Sequence, residues 1–151
     1  MQLANATECY VIQVKLIDDI SPLLKLIEDR NIVKIGINLV GDKKALYDEF
    51  GIIMKGVLDL DTILGKLSAK QSIGAKKAAA IFLNKNLQKS KSASTSNWEA
   101  PVLSKKQVKY AAEDAAVVYD TIIHLIYKYP FVLQSLPPWF GKNFANGDYP
   151  Q

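Results

Sequence analysis

Residues 32–42 read IVKIGINLVGD, and this stretch decides the fold. Ile32 to Ile37 is apolar on both faces, as a strand in the middle of a sheet is. Asn38-Leu-Val-Gly-Asp42 breaks the apolar run, and a helix is expected from Lys43 to Phe50, closed by Gly51. Asp42 stands at the strand-to-helix junction, where connecting segments commonly carry site residues. Read by itself, it is the N-cap of the Lys43 helix.

Upstream, Cys9 to Val14 is short, β-branched and aromatic, which predicts a strand. Ser21-Pro22 then opens a helix, with Ser21 as N-cap and Pro22 at the first helical position. Downstream, Gly56 to Asp59 is a short apolar stretch, followed by a helix through Ile63, Leu64 and Leu67. An alanine-rich helix is expected over about residues 74–83. Gln88 to Asn97 is polar and basic with no apolar period, and reads as a loop. Ser104-Lys-Lys-Gln107 is a capping box, and the helix behind it runs from Lys105 to Tyr129, where Pro130 stops it. Residues 131–151 read as an irregular tail. Strands alternating with helices give an α/β domain, helices packed on a sheet.

Composition narrows the class. With 151 residues, 49% hydrophobic and 23% charged, the chain suits one folded domain and not a disordered segment. A net charge of +4 permits a polyanionic partner without demanding one. The single cysteine, Cys9, excludes an internal disulfide. No apolar run approaches the roughly 20 residues of a membrane span. The N-terminus has neither the basic start nor the apolar stretch of a secretion signal. The expectation is a soluble protein of the nucleus or cytosol, with no membrane partner.

Tyr110 and Asp114 are four apart, so a helix projects them from one face, one turn above the other. A phenol and a carboxylate so placed can hold a water and a metal ion, or can be ordinary surface residues. Asp59 and Asp61 lie two apart after an apolar strand and would share a face if the strand continued. Asp61-Thr62 is better read as the cap of the next helix. His124 reads as a helix-packing residue. Lys76, Lys77, Lys85, Lys89 and Lys91 read as a solvated face that could also meet phosphates.

Three pieces together resemble the DEDDy group of 3′–5′ exonucleases, the family of RNase D and the Werner-type exonuclease. Asn38-Leu-Val-Gly-Asp42 is similar to the family's second motif. Tyr110-Ala-Ala-Glu-Asp114 is similar to its third. Ser96-Asn-Trp-Glu99, followed by Pro101-Val-Leu103 and Gln107, is typical of the tract between them, and V-L-D-L-D-T at 57–62 resembles the connecting strand and helix start. The resemblance implies an RNase H-like exonuclease fold, a mixed sheet flanked by helices. It also implies two divalent metals, Mg²⁺ or Mn²⁺, stabilising the attacking and leaving oxygens at a nucleic-acid 3′ end. In that scheme Asp114 and Asp42 are metal ligands, Asp42 directly or through water, and Tyr110 orients the attacking water. Asn38, Lys89, Lys91, Asn97 and Trp98 are the positions expected to contact RNA or single-stranded DNA.

The family's first motif, a D-x-E pair, belongs on a strand before the one that Met1-Gln-Leu-Ala4 resembles, and the chain starts just after that place. Residues 1–130 are therefore expected to form an exonuclease-like domain truncated at its N-terminal strand. Such a site holds at most one metal, weakly, because affinity for hard cations follows the number of charged ligands. The expected function is acting on or binding nucleic-acid 3′ ends, with hydrolysis beyond this chain alone. The alternative is a catalytically dead domain that binds RNA or a protein, with an exposed sheet edge open to a partner or a second chain.

Overall fold

The structure, a computed structural model, describes residues 1–68, 73–87, 91–138 and 140. Strands β1 (Gln2–Ala4) and β2 (Cys9–Val11) are followed by a 3₁₀ turn, Val14–Leu16. Helix α1 (Ser21–Glu28), strand β3 (Lys34–Gly36), helix α2 (Val40–Phe50) and strand β4 (Val57–Asp59) come next. Helices α3 (Asp61–Ser68), α4 (Ala75–Phe82), α5 (Lys91–Ser94) and α6 (Lys105–Lys128) lead to a second 3₁₀ segment, Pro130–Ser135. The α/β expectation holds. No helix among the described residues is long and apolar enough to cross a membrane.

The strands form two pairs. β1 and β2 are antiparallel with Leu3 opposite Tyr10, and β3 and β4 are parallel with Ile35 opposite Leu58. Helix α6 is the common support: β1, β2, β3, α4, α5 and the second 3₁₀ segment all pack on it. Its inner face sends Ile122, Leu125 and Ile126 into a core shared with Leu58, Leu60, Ile63, Leu64 and Ile73. Burying side chains of this size contributes about 1.5–3 kcal/mol each, so α6 is held by its apolar stripe more than by its intrinsic propensity.

Local signals behave as their chemistry requires at both helix ends that matter. Gly51 closes α2 in the left-handed conformation, φ +67°, and its N–H bonds the Tyr47 carbonyl. Ser104 caps α6: its Oγ accepts from the Gln107 N–H at 3.3 Å, and the Gln107 Oε1 accepts from the Ser104 N–H at 2.9 Å.

Four expectations are corrected. Ser21 is the first residue of α1, with Ile20 at the cap, because Asp19 already accepts the Ser21 N–H at 2.9 Å. Asp42 lies within the first turn of α2, with Leu39 at the cap; a carboxylate from β4 serves the amides there. The tract 88–97 is not wholly loop, since Lys91–Ser94 is a helical turn packed on α6. The start of the tail is regular and not irregular: Pro130–Ser135 is a 3₁₀ segment, and Val132, Leu136 and Phe140 are buried in the main core.

Candidate active site

The capping box sets where α6 begins, and so which residues share a face. Gln107, Tyr110, Ala111 and Asp114 follow the 3-4 spacing of one helical stripe. Ala111, 1% exposed, lies against the body of the protein, and its neighbours Tyr110 and Asp114 line a cavity of about 540 Å³. Trp98, Glu99, Lys15 and Gln2 also line it. The Trp98 ring stands 6.2 Å from that of Tyr110, tilted by 49°, within the range of a favourable aromatic contact. Its indole N–H donates to the Ser94 carbonyl at 3.4 Å.

At the rim, Lys15 and Glu99 form an ion pair. Hydrogen bonding to Lys15 and its charge hold the Glu99 carboxyl below the usual carboxylate range. The same contacts raise the Lys15 ammonium. The side chains are 72% and 71% exposed, so water and salt screen the pair and its contribution to stability is small. The turn that carries Lys15 is tied to the other wall by Gln13, whose Nε2 donates to the Ala100 carbonyl at 2.7 Å.

The structure thus gathers Trp98, Tyr110 and Asp114 around one cavity. Asp42 and Asn38 are exposed and are not among the residues that line it. Asn38 sits at the β3–α2 junction with φ +61°, a conformation asparagine tolerates better than most side chains. Asn97 Oδ1 accepts the Glu99 N–H at 3.0 Å, closing the turn that bears Trp98. Lys91 begins α5, and Lys89 lies outside the described residues. Glu99 was visible only as part of the SNWE tract. Lys15 carried no signal, because it reaches Glu99 across 84 residues.

Asp59 and Asp61 serve structure. Asp59 Oδ1 accepts from the N–H groups of Asn38 at 2.8 Å and Asp61 at 3.1 Å, and its Oδ2 accepts from Leu39 at 2.8 Å. Asp61 Oδ1 accepts from the Ile73 N–H at 3.0 Å. Among the described residues no group of three or more His, Cys, Asp or Glu side chains could hold a metal ion. Hard divalent cations take several oxygen ligands, so these residues do not by themselves fit a two-metal centre.

Residues 1–128 match the model of the 3′-5′ exonuclease family, and the chain belongs to that family. It is 35% identical over 112 residues to the mouse (Mus musculus) exonuclease 3′-5′ domain-containing protein 2, covering 72% of this chain and 17% of that protein. Escherichia coli RNase D superposes with a TM-score of 0.73 at 23% identity, over 93% of this chain and 37% of that one. Brucella melitensis NrnC bound to pGG superposes with a TM-score of 0.62 at 28% identity, over 75% of this chain and 54% of that one. The fold is therefore the RNase H-like exonuclease fold, and the chain spans a minor part of the mouse relative.

Proposed function

We propose that this chain binds nucleic-acid 3′ ends in the cavity lined by Trp98, Tyr110 and Asp114. The observation that carries this reading is that Tyr110 and Asp114, one turn apart on α6, open into the same space as the Trp98 ring. Aromatic faces suit an unstacked terminal base, whatever its identity. Lys89, Lys91, Asn38 and Asn97 are the proposed contacts to the strand, and phosphate contacts make binding weaken steeply with salt. Asp114, with Asp42 directly or through water, is the proposed seat of at most one weakly held Mg²⁺ or Mn²⁺. Tyr110 is the group proposed to orient a water beside it. Two-metal hydrolysis needs more carboxylates than these residues bring together; end binding does not.

The test is an assay on the purified chain with 5′-labelled single-stranded RNA and DNA, each with a 3′-hydroxyl or a blocked 3′ end, with and without Mg²⁺ or Mn²⁺. Binding that prefers the free 3′ end supports the reading; no binding to either strand overturns it. Asp114→Asn is expected to leave folding intact and to abolish any metal-dependent rise in melting temperature. An unchanged metal response would remove Asp114 from the site. Stepwise shortening lost in Asp114→Asn would extend the function from binding to hydrolysis.

The edges of the two strand pairs favour a second reading, a module that binds a protein partner. The Ile12 N–H donates to the Met1 carbonyl and the Met1 ammonium to the Ile12 carbonyl, and the Asn5 N–H donates to the Glu8 carbonyl, so the backbone of Leu3 faces β2 while the backbone groups of Gln2 and Ala4 point away from it. In the other pair Lys34 and Gly36 bond the β4 side, which turns the backbone of Ile35 outward. An extended partner segment can add to such an edge. Slowed amide exchange at Gln2, Ala4 and Ile35 on adding a partner, without nucleic acid, would select this reading.

A further inference from the structure

We propose that Gln107 is a positioning residue, holding the Ser96–Glu99 turn so that Trp98 stands against Tyr110 in the cavity. This rests on the end-binding reading above for its consequence, but not for its geometry. Gln107 is 7% exposed, and its amide uses its full hydrogen-bonding capacity of two donors and two acceptor sites. Oε1 accepts from the Ser104 N–H at 2.9 Å and the Ser104 hydroxyl at 3.0 Å. Nε2 donates to the Asn97 carbonyl and to Ser96 Oγ, each at 3.0 Å.

In the first pair only the bond from the Ser104 N–H belongs to the capping box, whose other half is the Gln107 N–H donating to Ser104 Oγ at 3.3 Å, and a glutamate would accept both bonds of that pair as well. The second pair requires an amide. It fastens the turn between α5 and Trp98 to α6, one helical turn before Tyr110. Ser96 Oγ in turn donates to the Ala93 carbonyl at 2.6 Å, so its proton is already committed and cannot serve a carboxylate at the same time. A carboxylate at position 107 would also set an oxygen against the Asn97 carbonyl. The two halves of the side chain therefore do separable things: Oε1 starts the helix and Nε2 aims the indole.

Gln107→Glu separates them. The cap survives, aided by negative charge in the first turn of the helix, while the grip on Ser96 and Asn97 is lost. The protein contains two tryptophans. Labelled with 5-fluorotryptophan, it shows a ¹⁹F resonance for each, and Trp98→Phe assigns the Trp98 signal. In Gln107→Glu the Trp98 resonance is expected to move, and the melting temperature to fall as the Ser96 and Asn97 bonds are lost and a carboxylate oxygen faces the Asn97 carbonyl. Affinity for a 3′-hydroxyl oligonucleotide is expected to fall about tenfold, the scale of losing one base-stacking partner. Trp98→Ala is expected to fall as far, and the double variant Gln107→Glu/Trp98→Ala no further, since the first change acts through the second residue.

An unmoved Trp98 resonance in Gln107→Glu overturns the assignment, as does full additivity in the double variant. Ser96→Ala cuts the same tie from the loop side and is expected to move the same resonance, so a Gln107→Glu chain that fails to fold leaves that decision intact. A wild-type chain that binds no oligonucleotide defeats the end-binding reading alone, because the resonance comparison still decides whether Gln107 places Trp98.

Discussion

Replacing Asp59 by alanine removes one carboxylate and three of its hydrogen bonds, to the N–H groups of Asn38, Leu39 and Asp61. Each bond to a charged acceptor is worth about 1.5–3 kcal/mol when buried. Here Asn38 is exposed while Leu39 and Asp59 are half-buried, so water replaces part of the loss. A total of about 3 kcal/mol follows, at the low end of that range for two bonds and little for the third. For a chain of this size that is a fall of about 6–12 °C in melting temperature. Asp59→Asn is expected to recover little. Its single carbonyl oxygen can serve one side of the junction, and its NH₂ then faces an N–H on the other. Thermal or urea unfolding reads the loss of stability, and hydrogen exchange reads its location, with the Asn38 and Leu39 amides losing protection first. A melting temperature within about 2 °C of wild type, with those amides still protected, would refute the view that β4 holds the β3–α2 junction.

A methyl group at position 36 would stand 2.6 Å from Leu39 Cγ and 2.8 Å from its Cδ1, so Gly36→Ala is expected to cost about 1–3 kcal/mol by overpacking. Gly36→Ala/Leu39→Ala should regain part of it in unfolding measurements, and a double variant less stable than the sum of the single changes would contradict that contact. Lys34 is 9% exposed and donates to the Asp29 carbonyl and, at 3.3 Å, to the Leu26 carbonyl, both at the end of α1, where a cation is also favoured by the helix dipole. Lys34→Met is expected to cost about 1–2 kcal/mol near neutral pH by leaving those carbonyls without this donor. Burial lowers the Lys34 ammonium below 10.5, so the folded chain releases this proton before the unfolded chain does. The unfolded state then binds more protons in the window below 10.5, and the stability difference between wild type and Lys34→Met widens as pH rises through that window; urea titrations at stepped pH check the sign.

Hydrogen bonds that close within a turn of chain were legible without the fold. Gly51 ends α2 and Ser104–Gln107 begins α6 because their partners are three or four residues away, and helical spacing alone then puts Tyr110 and Asp114 on one face. The order of the N-x-x-G-D, SNWE and Y-x-x-x-D tracts carried the family in the same way. Apart from Ser21, whose N–H bonds Asp19 two residues back, what failed depended on a partner distant in sequence. Asp42 looked like the cap of α2 because no local residue revealed that Asp59, some 20 residues on, serves the amides at that junction. The residues after Pro130 looked irregular because their order comes from burying Val132, Leu136 and Phe140 in the core, not from any period of their own. The cavity itself is tertiary: Lys15 meets Glu99 and Gln13 meets Ala100 only when β1, β2 and the SNWE turn are drawn onto α6. Backbone geometry within a few residues is decided by local sterics and spacing, whereas the elements that line a cavity are decided by which apolar faces can be buried together.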